Sequence, residues 1–177
     1  MLNKFLKTIH NKYSRFFKFI FFLRYLIATF FVSSSLFLTI PILINNEKKV
    51  ELINNYLIEN YNLKINEHEN IKYKAFPLPN FEFKNTQIKF FKSNTNLDVN
   101  YLKVFPKIFS IYNPDHFKAN KIIFKENVVN LETSNFYTFI NELSNQRKKI
   151  SFNDLKIKIL NDDKLVVRLE KIFFSNF

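Results

Sequence analysis

The chain has 177 residues, a net charge of +12, and neither Cys nor Gly. The missing Cys excludes disulfides and thiol chemistry, and the missing Gly excludes glycine-built phosphate loops and dinucleotide fingerprints. Left-handed turn positions then fall to Asn and Asp, which tolerate them better than other non-Gly residues.

The charge is unevenly spread. Residues 1–46 carry Lys4, Lys7, Lys12, Arg15, Lys18 and Arg24 and no acid, whereas residues 47–177 carry 21 Lys/Arg against 15 Asp/Glu, a net of +6. The second excess is scattered, apart from Arg147, Lys148 and Lys149. That cluster reads as solvated surface before a phosphate or lipid-headgroup site, so nucleic acid is not an expected partner.

The first predicted element is an anchor. "YLIATFFVSSSLFLTIPILI", Tyr25 to Ile44, contains no charge, and a helix of this length spans about 30 Å, the hydrocarbon thickness of a bilayer. Lys18 and Arg24 precede it and are the expected membrane-interface anchors, with their charges snorkelling to headgroups. A basic, acid-free flank predicts a cytoplasmic N-terminus over residues 1–24, a transmembrane helix over 25–44 and the remainder, 45–177, on the opposite side. Cleavage as a signal peptide is disfavoured, because the serines lie in mid-run and cleavage after Ser35 would expose "LFLTIPILI".

Next, Glu47 to Asn62 reads as a helix with Val50, Ile53, Leu57 and Tyr61 on one apolar face. The period then changes to two. "LKIN" and "IKYKAF" around "NEHEN" predict a hairpin. In "FPLPNFEFKNTQIKF", Pro77 and Pro79 belong at a strand start. Phe81 and Phe83 share one parity while Ile88 and Phe90 share the other, so a bulge or tight turn is expected at Asn85–Thr86. The unit "FKNTQIKF", Phe83 to Phe90, recurs as "FNDLKIKI", Phe152 to Ile159, and more loosely as "FKANKIIF", Phe117 to Phe124. Such repeats predict a curved antiparallel meander. Short helices are expected near Pro106–Tyr112 and Asn135–Asn145, the latter capped by Ser134. Further strands are expected at Leu97–Phe105, Val128–Glu132 and Leu165–Phe174, with a turn at Asp162–Asp163. The fold class is α+β: an N-terminal transmembrane helix, then a curved, mostly antiparallel sheet with short packing helices.

Little in this pattern points to chemistry. His10, His68 and His116 have no metal-ligand spacing, and "EHE" at Glu67–Glu69 reads as a solvated turn. No nucleophile motif occurs. No catalytic residue, metal or cofactor is expected. The aromatics remain, with 15 Phe beyond residue 46. Phe81, Phe83, Ile88, Phe90, Phe152, Ile157 and Ile159 line one face of the predicted sheet. Two readings of that face stand open: ordinary core packing, and an apolar groove in contact with acyl chains.

The order of elements resembles the N-terminal region of AsmA-like proteins across residues 20–177. The resemblance is carried by the anchor, the helix-to-strand run "VELINNYLIENYNLKI", the stretch "PLPNFEFKN", and the rhythm of "LDVNYLKVFPKIFSIYNPDHFKANKIIFKENVVNLE". It implies a single-pass protein of a bacterial inner membrane with its bulk in the periplasm. It further implies a non-enzymatic role in outer-membrane biogenesis, with phospholipid in a chorein-like β-groove, and membrane lipids as partners. Family members are much longer than this chain. The expectation is therefore a truncated or split member, and the alternative reading is a structural module whose open sheet edge pairs with a partner protein.

Overall fold

The computed structural model describes residues 2–146 and 148–175. Residues Met1–Ile40 and Pro41–Phe177 form two compact units.

The first unit is one helix, α1, Leu2–Thr39. The basic segment and the apolar run are thus one continuous helix with no break at residue 24. The stretch Lys18–Leu43, which includes a short 3₁₀ turn at Ile40–Leu43, is long and apolar enough to cross a membrane. Its side chains are exposed almost throughout, including Phe21, Phe22, Phe30 and Phe31.

The second unit opens with helix α2, Asn46–Tyr61. Asn45 caps it, its Oδ1 accepting from the Glu47 N–H at 3.2 Å, and Asn62 ends it in the left-handed conformation at φ 56°. That position is commonly Gly; here Asn takes it. Ile53, Tyr56, Leu57 and Tyr61 are buried, while Val50 is only half-buried. Six strands follow: β1 (Leu63–Lys74), β2 (Asn80–Phe90), β3 (Thr95–Pro106), β4 (Ala119–Glu132), β5 (Ile150–Asn161) and β6 (Lys164–Ser175). They form one sheet in sequence order. All neighbours are antiparallel except β4 and β5, which are parallel. Helix α3, Thr133–Ser144, makes the crossover between those two, as a parallel connection requires. The sheet is therefore not a simple meander.

Several expectations change. "NEHEN" is not a turn: it lies inside β1, whose register against β2 shifts by one residue between Ile65 and Glu67. The predicted strand at Val128–Glu132 is the second half of β4, which starts at Ala119. The short helix expected near Pro106–Tyr112 is present as a 3₁₀ turn, Ile108–Tyr112, and a second 3₁₀ turn follows at Pro114–His116. Helix α3 begins at Thr133 with no side-chain cap bond, so Ser134 is not its cap; the Thr133 hydroxyl instead donates to the Leu160 carbonyl at 2.9 Å. The prolines precede β2 as expected, and Asp162–Asp163, at φ 50° and 61°, turns β5 into β6.

The parity break is real, but its form differs from a bulge. Asn85 is left-handed at φ 44°, and β2 runs in constant register with β3 through it. β3, β4 and β5 reset at the same level, and β6 resets nearby across a shifted register. Glu126 of β4, Asp154 of β5 and Lys171 of β6 are left-handed as well, at φ 55°, 59° and 56°. The flanking pairs Lys84–Tyr101, Tyr101–Lys125 and Lys125–Asn153 set Asn85, Asn100, Glu126 and Asp154 in one row across the sheet. Buried side chains sit on either side of it: Phe83 and then Thr86, Phe124 and then Asn127, Phe152 and then Leu155. This transverse crease keeps the apolar residues of both halves on one face. It also corrects the third repeat, which is "FKENVVNL", Phe124 to Leu131, instead of Phe117 to Phe124.

Helices α2 and α3 cover that apolar face. Phe124 stacks on Phe152 at 4.5 Å, Phe90 meets Phe139 of α3 edge-on at 5.1 Å, and Tyr56 of α2 meets Phe117 at 5.3 Å. The Tyr56 and Tyr61 hydroxyls donate to the carbonyls of Ala119 and Lys149, both at 3.3 Å. Burial and the neighbouring Tyr56 raise the Tyr61 phenol well above its ordinary range.

Candidate functional site

The residues proposed as a groove lining occupy one continuous face. Phe81, Phe83, Ile88, Phe90 and Phe152 have no exposed surface and Ile157 has 2 %. Each belongs to the aromatic and aliphatic core beneath α2 and α3. Ile159 differs, being half-buried on the part of β5 that leads towards β6. Lys18 and Arg24 are exposed on α1. Of the basic cluster, Lys148 and Lys149 are exposed, and Arg147 lies outside the described residues.

Among the places where apolar side chains meet solvent, two border the sheet and its helices. The first is a cleft of about 890 Å³ between α2 and the 3₁₀ turns. Leu52 and Tyr56 of α2 form one wall; Ile111, Tyr112 and Phe117 form the other; Leu43 and Ile44 stand at one end. Burial raises the Tyr112 phenol above its usual value. Lys48, Glu51, Glu59 and Asp115 supply the polar lining. The nearly buried Lys49 ammonium, next to Lys48 in sequence, donates to the Ile42 carbonyl and to Asn46 Oδ1, both at 3.2 Å. Desolvation lowers its pKa. Carboxylates outnumber ammonium groups in the lining, which opposes a phosphate group deep inside. The apolar walls suit a hydrocarbon chain, and the volume falls in the range of small-ligand pockets.

The second region is β6. Val167 pairs with Ile159 and Leu169 with Ile157, so both point to the apolar face, while Leu165 pairs with Leu160 beyond a register shift at Val166. They stay 41 %, 38 % and 55 % exposed, because neither covering helix reaches them.

The remaining buried charges are structural. The Glu142 carboxylate of α3 accepts from the N–H groups of Lys92 and Ser93 and from the Ser93 hydroxyl, at 3.3, 2.9 and 2.9 Å. It thereby holds the β2–β3 turn against the helix. Glu82, on the opposite face of the sheet from Phe81 and Phe83, takes ion pairs from Lys74 at 2.9 Å and Lys103 at 3.0 Å. Burial opposes its ionisation, but the hydrogen bonds and charges of the two lysines outweigh that and hold the carboxyl below its ordinary range. Among the described residues, no three His, Asp or Glu side chains come together as a metal site.

Sequence reasoning missed the cleft. Its one signal was "IFSIY", an apolar segment with more hydrocarbon than a five-residue turn can bury; Phe109 is 82 % exposed. Compared with known proteins, the chain matches no family model, and no curated protein sequence is significantly similar to it.

Proposed function

We propose that this protein is a membrane-anchored, non-enzymatic component of the cell envelope, of AsmA-like type, that holds the acyl part of a phospholipid. In this reading residues 1–24 are cytoplasmic, the anchor crosses the inner membrane, and residues 45–177 stand in the periplasm. The observation that carries it is the apolar-walled cleft beside α2, in a chain whose N-terminal helix is long and apolar enough to span a bilayer. Each methylene withdrawn from water contributes about 0.8 kcal/mol, so a partly inserted acyl chain is held without any charge contact. The carboxylates in the lining keep the phosphate headgroup at the mouth, where Lys48 is available. The sequence order from the anchor to "VNLE" supports the same assignment. The groove is thereby moved from the closed core around Phe83 and Phe152 to the cleft, with the uncovered strip on β6 as a second apolar surface.

The test is lipid retention by the detergent-purified full chain, measured by mass spectrometry after extensive washing. The expected result is about one phospholipid per chain, lost on Leu52→Asp while the circular dichroism spectrum stays unchanged. Equal lipid in the two proteins, or none in either, ends the lipid reading. Because the chain lacks Cys, Phe109→Cys labelled by a membrane-impermeant maleimide checks the topology independently: labelling from the cytoplasmic side alone would refute the periplasmic assignment.

A further inference from the structure

Strands β1 to β4 alternate in direction. The β1–β2 connection (residues 75–79) and the β3–β4 connection (residues 107–118) therefore leave the same end of the sheet, where Lys74 pairs with Asn80 and Pro106 with Ala119. The β2–β3 turn leaves the other end, beyond the pair Phe90–Thr95. Both connections at the first end hold large apolar side chains in solvent, Phe76 and Leu78 in one, Ile108 and Phe109 in the other. Residues three apart in a 3₁₀ turn share a side, so Phe109 falls on the side of Tyr112, which lines the cleft. Lys107 and Lys118, both exposed, bracket this connection, and the Lys107 N–H closes it by donating to the Lys118 carbonyl at 2.8 Å. Its one acid, Asp115, belongs to the lining of the cleft.

A third apolar segment reaches the same place. Leu43 is the last residue of the stretch long and apolar enough to cross a membrane. It is exposed, and with Ile44 it stands at one end of the cleft whose wall is Ile111, Tyr112 and Phe117 of the β3–β4 connection. A chain that leaves a bilayer at Leu43 leaves it beside these loops, so the surface nearest to them is the bilayer itself. An aromatic tip between two lysines matches that surface: the ring enters the apolar boundary while the ammonium groups stay with anionic headgroups. We propose that this end of the sheet seats on the leaflet at which the membrane span ends. Phe76, Leu78, Ile108 and Phe109 enter the boundary between headgroups and acyl chains, and Lys107 and Lys118 lie at lipid phosphates. The proposal rests on the reading of the N-terminal helix as a membrane span. It does not depend on lipid being held in the cleft.

Spin labels test the seating in a chain with no native cysteine. The full chain carrying Phe109→Cys, Leu78→Cys or, in the β2–β3 turn, Lys92→Cys is labelled and reconstituted in vesicles of phosphatidylcholine and phosphatidylglycerol. The Phe109→Cys and Leu78→Cys labels are expected to collide with dissolved oxygen in preference to a water-soluble nickel complex, and the Lys92→Cys label to do the reverse. Lys107→Gln together with Lys118→Gln should lower the ratio of seated to unseated protein by about fivefold for each lysine. That loss should occur in vesicles containing phosphatidylglycerol and not in phosphatidylcholine alone. Preference of all three labels for nickel, in a protein that resists carbonate extraction, would overturn the seating and leave the membrane span standing. Release of the protein by carbonate would overturn both. An oxygen preference at Lys92→Cys equal to that of the other two labels, or an equal response of the double variant in the two kinds of vesicle, would also overturn the proposal.

Discussion

The two edges of the sheet are built differently. β1 carries Lys64, Glu67, His68, Glu69, Lys72 and Lys74 at exposed positions and is interrupted by the irregularity at Asn66. Helix α2 packs against it, and the Ile65 N–H is taken by Asn54 Oδ1 of that helix at 2.8 Å. Charges, an irregular register and a covering helix are the usual means of keeping an edge from pairing with other chains. β6 carries a charge, Arg168, and a register shift beside Val166, but no helix packs over it as α2 does over β1. Its Val166 is 59 % exposed and the neighbouring Leu165 55 %. One edge of the sheet is covered by a helix; the other is not.

The largest expected effect contrasts those two sides. Leu57→Ala, which empties a fully buried site on α2, should cost about 2–5 kcal/mol. Leu165→Ala at the open edge should cost less than about 0.5 kcal/mol. Urea unfolding of the full chain in detergent measures both; comparable losses would mean that β6 is covered in the folded protein. Next comes the stitching of β1 to its neighbours through Glu82, which bonds to lysines from β1 and β3, whereas the ion pair of β6 lies within one strand. Glu82→Gln should cost about 1–2 kcal/mol near neutral pH, the lysines being partly solvated. The folded pKa of Glu82 is depressed, so its contribution is fully present above the unfolded carboxylate value. It is lost as pH falls through the folded value. The difference between wild type and variant should therefore be constant from neutrality down to the ordinary carboxylate range and close only below it.

Asn54→Ala removes the acceptor of the Ile65 N–H and should cost about 1 kcal/mol. It should also raise amide exchange at Ile65 without changing β6, as hydrogen exchange read by NMR would register. The smallest effect is a gain. Lys171 is left-handed at φ 56°, a conformation that is uncommon and unfavourable for a residue with a long side chain. Lys171→Gly should raise stability by about 0.5–1 kcal/mol. No gain in the unfolding midpoint would argue that the crease does not extend to β6.

Much of this architecture could be read from the residues. The apolar run announced α1, the 3.6-residue spacing announced α2 and α3, and "FKN" and "FND" each carry their left-handed residue at the third position. The misread parts share a cause. "NEHEN" imitates a turn because an edge strand can expose both faces, leaving no alternation to detect. The parallel pairing of β4 with β5 leaves no trace in either strand, since period two is common to both orientations. Whether Phe81 to Phe90 face lipid or core depends on where α2 and α3 dock, and that is a property of the assembled chain. The cleft was hidden for the same reason: Leu52 and Ile111 are unremarkable until α2 and the 3₁₀ turns face one another.

The crease has one further consequence. In an ordinary sheet a strand displaced by two residues still presents the right side chains to the right face, so alternation gives little protection against that error. Here each strand from β2 to β5 changes parity at a fixed level, marked by Asn85, Asn100, Glu126 and Asp154 in turn. A strand displaced by two residues would carry its reset out of line and force apolar side chains to the wrong side over the gap. The row works as an alignment mark, checking each strand against the one before it as the sheet assembles.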